Sequence, residues 1–268
     1  MSTKRLKIAS LNAERDHSDG FAREDVMRLI DAWKPDLLGI QEGKQYLTTY
    51  GSIPGYGLLL PEGLVRGDQK NNPILYRLET MDPVLSRYVK IHSGKAHQFP
   101  ERNIIEGCFS WEGGDGSLVW YDNTHLNSHI DQGGHPMPLP HGRPGQLLPR
   151  VPLSVTHIET VAERVERNGK RKHSLAFCGG DFNIDEDADN RVDFSGFPNA
   201  TFRRHGVISV YDELGTPASF DTHGNRKIDV VARYKGDRRV RAKYVRHSGD
   251  LHSDHAGVLA AFDVTLLR

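Results

Sequence analysis

Apolar positions fall into short runs broken by glycine, proline and charge. Leu6 to Leu11 reads as a first strand, running into Asn12-Ala13-Glu14. From Arg23 to Trp33 the spacing changes. Val26, Leu29, Ile30 and Trp33 recur at i, i+3, i+4 and i+7, which predicts an amphipathic helix stopped before Pro35. Asp36 to Gln41 is a second strand with Glu42 at its carboxyl end, and Pro73 to Arg77 is a third. Arg102 to Trp111 and Ser117 to Asp122 predict neighbouring strands joined by Gly113-Gly114-Asp115-Gly116, a hairpin signal. Val155, Ile158, Val161, Ala162 and Val165 mark a helix over Leu153 to Arg167, closed by Asn168-Gly169. Ser174 to Cys178, Arg226 to Val231 and Ala256 to Phe262 read as later strands. Ile130 to Pro152 shows no hydrophobic period and holds six prolines, so it predicts a loop, either a substrate-contacting one or an insertion.

The chain has 268 residues, 37% of them hydrophobic, enough for one large α/β domain over 1–268. Lys+Arg and Asp+Glu are both 35, so the net charge is zero. A zero balance gives no general pull toward nucleic acid or an anionic membrane; any polyanion binding must come from a local patch. The best candidate is Lys235, Arg238, Arg239, Arg241, Lys243 and Arg246, with Arg239 and Arg241 as substrate contacts. An exposed strand pair with alternating charges is the alternative. The two cysteines, Cys108 and Cys178, fit neither a disulfide framework nor a zinc site and read as buried thiols. No apolar segment follows the basic N-terminus, so no signal peptide or membrane span is expected and a cytoplasmic location is the default.

The chemistry concentrates in Cys178-Gly179-Gly180-Asp181-Phe182-Asn183. An apolar strand leads into two glycines that permit a sharp turn. Asp181 and Asn183, two apart in extended chain, then fall on one side. A carboxylate there can deprotonate a water, and an amide can donate to an oxyanion. Gly, Asp and Asn also form plain turns, so the motif depends on its company. Asn12 ends the first strand and Gln41-Glu42 the second. Asn123-Thr124-His125-Leu126 ends a middle strand. Lys227-Ile228-Asp229-Val230 opens a late one, and Ser253-Asp254-His255 precedes the last. Glu42 at a strand end offers a hard oxygen suited to Mg²⁺ or Mn²⁺. Asp229 lies within an apolar strand, and a buried carboxylate needs a partner.

This set, in this order over nearly the full length, resembles the endonuclease/exonuclease/phosphatase (DNase I-like) superfamily of metal-dependent phosphoesterases. The resemblance implies a four-layered α/β sandwich of two mainly antiparallel sheets flanked by helices. It implies Glu42 as the principal ligand of Mg²⁺ or Mn²⁺, with Asn12 under the metal and Asp254 as a second ligand; Glu14 is an outer ligand or an exposed acid. It assigns Asp181 to water activation, and Asn183, His125 and His255 to the phosphate oxygens. Asp229 would orient His255. Just before the Pro73 strand, Asn72 and Lys70 are candidates to support His125 or touch the phosphate, because the acid that DNase I-like members tend to carry there is missing. Asn127 or Ser128 would assist. The expected activity is a nuclease with nucleic acid as substrate. The alternatives are a phosphatase on a small or lipid phosphate and a non-catalytic binding homologue. No protein partner is inferred.

Overall fold

A computed structural model describes residues 2–14, 18–64, 67–93, 100–128, 131–132, 135–136, 150–185, 199–216, 220–224 and 226–267. The strands are β1 Thr3–Asn12, β2 Leu37–Gln41, β3 Tyr56–Leu59, β4 Ile74–Arg77, β5 Met81–His92, β6 Arg102–Trp111 and β7 Leu118–His125. They continue as β8 Asp131–Gln132, β9 His135–Pro136, β10 Ser174–Asp181, β11 Val207–Ser209, β12 Asp229–Tyr234, β13 Val240–Ser248 and β14 Gly257–Thr265. The α-helices are α1 Asp19–Trp33, α2 Leu47–Tyr50, α3 Arg150–Gly169, α4 Asn199–Arg204 and α5 Val210–Leu214.

Two six-stranded mixed sheets face each other. One runs β13-β14-β1-β2-β4-β3 and the other β11-β12-β10-β7-β6-β5. Each has one parallel pair, β1 with β2 and β7 with β10, amid antiparallel neighbours. Parallel strands need a crossover, and α1 and α3 supply the helical parts of these two. Strand alternation sorts the side chains of β1. Leu6 and Ile8 enter the core between the sheets, while Ala9 and Leu11 face α1 with Val26 and Leu29. Each fully buried Val or Leu contributes about 1.5–3 kcal/mol. Helix α3 covers the other sheet, packing on β10 and β7. The layers are therefore helix, sheet, sheet, helix. Both cysteines are buried and unpaired.

The pattern was incomplete in places. Ser18 accepts from the Phe21 N–H and starts α1 a turn before the predicted helix. β3 is only four residues long, and β5 is an edge strand whose apolar positions are interrupted by Pro83, Arg87 and Lys90, so neither stands out as a run. Within the predicted 130–152 loop, β8 and β9 pair and α3 begins at Arg150, with Pro152 in its first turn, where no N–H is needed. The rest of that stretch lies outside the described residues. Among the described residues, no helix is long and apolar enough to cross a membrane.

A buried amide network ties the two sheets together. Gln41 Nε2 donates to Asn123 Oδ1 (2.7 Å), and Asn123 Nδ2 donates to the carbonyls of Ile40 and Pro73 (2.9 Å each). Gly39 makes room for this. A Cβ there would lie 2.5 Å from Asn123 Oδ1 and 2.4 Å from the Tyr121 hydroxyl. In each motif the first polar residue locks the sheets, and a later one, Glu42 or His125, reaches the cavity above.

Candidate active site

One row of strand ends in the second sheet carries most of the candidate catalytic residues. Asp181 is opposite His125 on β7 and opposite Asp229 on β12. The β6–β7 register brings Arg102 alongside Leu126, just past His125. The facing sheet presents Asn12 beside Gln41, with Asp254 and His255 just before β14. These ends enclose a cavity of about 450 Å³.

The backbone is forced at this end. Gly180 has φ 149°, and a Cβ there would sit 1.9 Å from the Thr124 carbonyl oxygen. Asn183, Glu42 and Glu14 hold left-handed φ of 54°, 57° and 50°. For residues with a Cβ this costs on the order of 1–3 kcal/mol each.

Asp181 is buried, and its carboxylate is held at both oxygens. Oδ1 accepts from the Asn183 N–H (2.8 Å) and Oδ2 from Asn12 Nδ2 (3.0 Å). Burial pushes its pKa up to about 6, with the Asp229 charge adding to the rise against the pull of His255. His255 Nδ1 is 2.8 Å from Asp229 Oδ2. Burial alone would strip its proton, but Asp229, with Asp181 and Asp254, raises it to about 10. Asp229 is itself fixed, because its N–H and that of Ile228 both donate to the Thr222 hydroxyl (3.0 Å each). His125 lies with Nε2 3.4 Å from Asp181 Oδ2. Its pKa is driven well below the usual range by burial first, then by Arg102, His255 and His157. The site therefore pairs a neutral imidazole with a cationic one across a carboxylate poised near neutrality.

Asp25 of α1 secures the last motif. Its carboxylate accepts from the N–H groups of His252 (2.8 Å) and Ser253 (3.0 Å), and Ser253 Oγ donates to the Asn12 carbonyl (2.7 Å).

Asn12, Glu42, His125, Asp181, Asn183, Asp254 and His255 all line the cavity, and Asp229 stands behind His255. Asn12 Oδ1 accepts from the Glu14 N–H (3.1 Å) while its amide nitrogen donates to Asp181 Oδ2 and so fixes that carboxylate. Glu42, Glu14 and Asp254 all line the cavity and offer hard oxygen donors of the kind a divalent cation takes. His223, Asp254 and His255 form a tighter group whose ligand atoms lie within 4.8 Å of one another. Asp181, Asp229 and His255 form another.

Four expected substrate contacts are placed elsewhere. Asn72 is buried and donates to the Asn103 carbonyl and Oδ1 (3.0 and 3.2 Å); its neighbour Asn71 lines the cavity instead. Asn127 lies beneath the floor, accepting from Arg102 Nε (3.2 Å) and meeting His92 Nε2 (3.1 Å). Arg239 clamps the opposite end of the sandwich, where it donates to Asp237, Asp115 and Ser117. Arg241 is exposed on edge strand β13, in register with Asp263 toward that same end. The eight residues of β7 span the two ends, about 23 Å at strand rise. Arg241, Lys243 and Arg246 of the basic run are thus outward charges on an edge strand, while Lys235, Arg238 and Arg239 lie in the turn before it.

Arg102, Arg226 and His223 line the cavity without having stood out in the sequence. Arg226 Nη2 donates to the Asn183 carbonyl (3.0 Å). His223 stacks on His255 with ring centroids 4.3 Å apart. Only the adjacency of β6 to β7 would have singled out Arg102.

No family model and no curated protein sequence matches the chain. Solved structures do. An endonuclease/exonuclease/phosphatase family protein from Bacteroides thetaiotaomicron is 18% identical over 99% of this chain and 100% of its own, with TM-score 0.69. A mannosyl-6-phosphatase from the same organism is 20% identical, covering 96% of this chain and 99% of its own, with TM-score 0.65. D. rerio TDP2 complexed with a single-strand DNA product is 17% identical, covering 96% and 98%, with TM-score 0.64. Two mixed sheets layered between helices, joined over nearly the whole chain to these structures, give this protein the endonuclease/exonuclease/phosphatase fold.

Proposed function

We propose that the protein is a metal-dependent hydrolase of phosphoesters. The observation that carries this is the Asp181 carboxyl, tuned to about 6 and fixed by Asn12 and Asn183, between a neutral His125 and the cationic His255–Asp229 pair. A general base works best with a pKa near the operating pH. Asp181 takes a proton from a water in the cavity. His255 carries positive charge to the phosphate oxygens, and His125 and Asn183 offer N–H groups where negative charge builds. Asp229 keeps the His255 Nδ1 proton in place, leaving Nε2 toward the cavity. Glu42, with Asp254 and Glu14, would hold Mg²⁺ or Mn²⁺, which supplies charge neutralisation at the phosphate and leaving oxygen.

The solved neighbours include a protein bound to a DNA product and a sugar phosphatase. Nucleic acid is therefore one substrate arm and small phosphoesters the other. The Lys235–Arg246 run does not line the cavity, so it lends the nucleic-acid arm no support. The test is hydrolysis of labelled duplex and single-stranded DNA, and of sugar and nucleoside phosphates, with Mg²⁺ or Mn²⁺ and with EDTA. Metal-dependent hydrolysis in either arm supports the reading. A folded protein inactive on every phosphoester overturns it.

A further inference from the structure

The cavity wall beyond His125 is built differently from the reaction end. Arg102 lines it while being only 6% exposed. Its Nε donates to Asn127 Oδ1, and Asn127 meets His92, so the guanidinium is anchored from below. The adjacent Glu101 carboxylate also lines the cavity and accepts from the Tyr88 hydroxyl.

Lys44 and Arg226 also line the cavity; the Lys44 ammonium lies 2.7 Å from Asp68, and Arg226 donates to the carbonyl of Asn183 at the reaction end. Position separates Arg102 from the scissile centre. It lies on β6, two strands from Asp181 on β10, so the two backbones are about 10 Å apart at normal strand spacing. His125 stands between them. A phosphate held by Asn183, His255 and His125 leaves Arg102 facing the next part of the substrate. Guanidinium is a planar fork that matches a phosphate or carboxylate with two parallel hydrogen bonds.

We propose that Arg102 forms a second anion subsite and that the substrate carries a second phosphate beside the one attacked. This rests on the phosphoesterase reading above. The second phosphate can belong to a small bisphosphate or to a neighbouring nucleotide.

Steady-state kinetics on two pairs that differ by one phosphate test it. One pair is fructose 6-phosphate and fructose 1,6-bisphosphate; the other is a dinucleotide with and without a 5′-phosphate. The expected result is kcat/KM at least about tenfold higher for the doubly phosphorylated member of one pair, mostly through KM. Which pair shows it tells the two sources apart. Arg102→Gln should cut that preference below about threefold, and Arg102→Lys, which keeps charge but loses the fork, should fall between. Equal kcat/KM within both pairs, or a preference that survives Arg102→Gln, overturns the subsite and leaves the phosphoesterase reading standing. Calorimetry on the wild-type protein in EDTA covers the cases where a variant does not fold or no ester is cleaved. The doubly phosphorylated member of one pair should bind at least about tenfold more tightly than its singly phosphorylated partner, and equal binding within both pairs overturns the subsite. Hydrolysis of none of the esters counts against the phosphoesterase reading, and the binding ratio alone then decides the subsite.

Discussion

Replacing Asp229 with Asn tests the electrostatic core of the site. The carboxylate is fully buried, 2.8 Å from His255 Nδ1, and it is the largest influence raising that histidine from 6.5 to about 10. Such a rise corresponds to on the order of 5 kcal/mol favouring the protonated ring. Asn keeps the shape and an oxygen acceptor but removes the charge. Burial then dominates, and His255 should lose its proton below pH 7. The sign is fixed by the direction of the shift. In the wild type the stability due to this charge is fully present below pH 6.5 and is lost only as pH rises through about 10. Imidazole NMR in EDTA reads it directly. The wild-type His255 signals should hold the protonated position from pH 5 to 9, and those of Asp229→Asn should titrate below 7. The kcat at pH 7 should fall about 10²–10³-fold with the lost transition-state charge. A wild-type His255 titrating near 6.5, or a variant whose His255 still titrates near 10, would refute the reasoning.

Asp181 sets the acidic limb of activity. The kcat/KM should rise as pH passes through about 6, and a profile flat from pH 5 to 8 contradicts the base assignment. The same shift makes ionised Asp181 a cost to the fold, absent below about pH 3.8 and complete above about 6. Asp181→Asn should therefore resist urea better than wild type at pH 8, by on the order of 3 kcal/mol, with the gain gone below pH 4. Gly180→Ala should lose about 2–4 kcal/mol in urea unfolding, because the new Cβ meets the Thr124 carbonyl in a backbone region closed to alanine. Arg239→Ala should lower stability by about 1–2 kcal/mol and leave kcat/KM within twofold, since its partners Asp115, Ser117 and Asp237 lie at the far end. A large loss of turnover would return Arg239 to the substrate path.

What the chain discloses about itself follows physical locality. The strands that lead into Asn12, Glu42, His125 and Asp181 are buried on both faces toward their carboxyl ends, so they appear as apolar runs followed at once by polar residues. Asp229 was legible for the opposite reason, as a lone carboxylate inside such a run. Edge strands are not legible this way. β5 and β13 pack one face, and their charges blur the alternation, which made the Lys235–Arg246 run resemble a binding patch. Asn71 and Asn72 differ by one residue, and only the turn before β4 decides that Asn71 faces the cavity and Asn72 the interior. Arg102 and Asp25 act across strands and layers far apart in the chain. Asp25 sits mid-helix at an ordinary acid position and reaches Ser253 only because α1 packs beside the β14 entrance.

The most direct measurement is turnover of Asp181→Ala beside wild type on whichever phosphoester the metal-supplemented assay shows to be cleaved. The site as built predicts wild-type hydrolysis abolished by EDTA and a folded variant slowed at least about a hundredfold. A folded Asp181→Ala protein that keeps wild-type turnover would contradict the assignment of this cavity as the reaction centre.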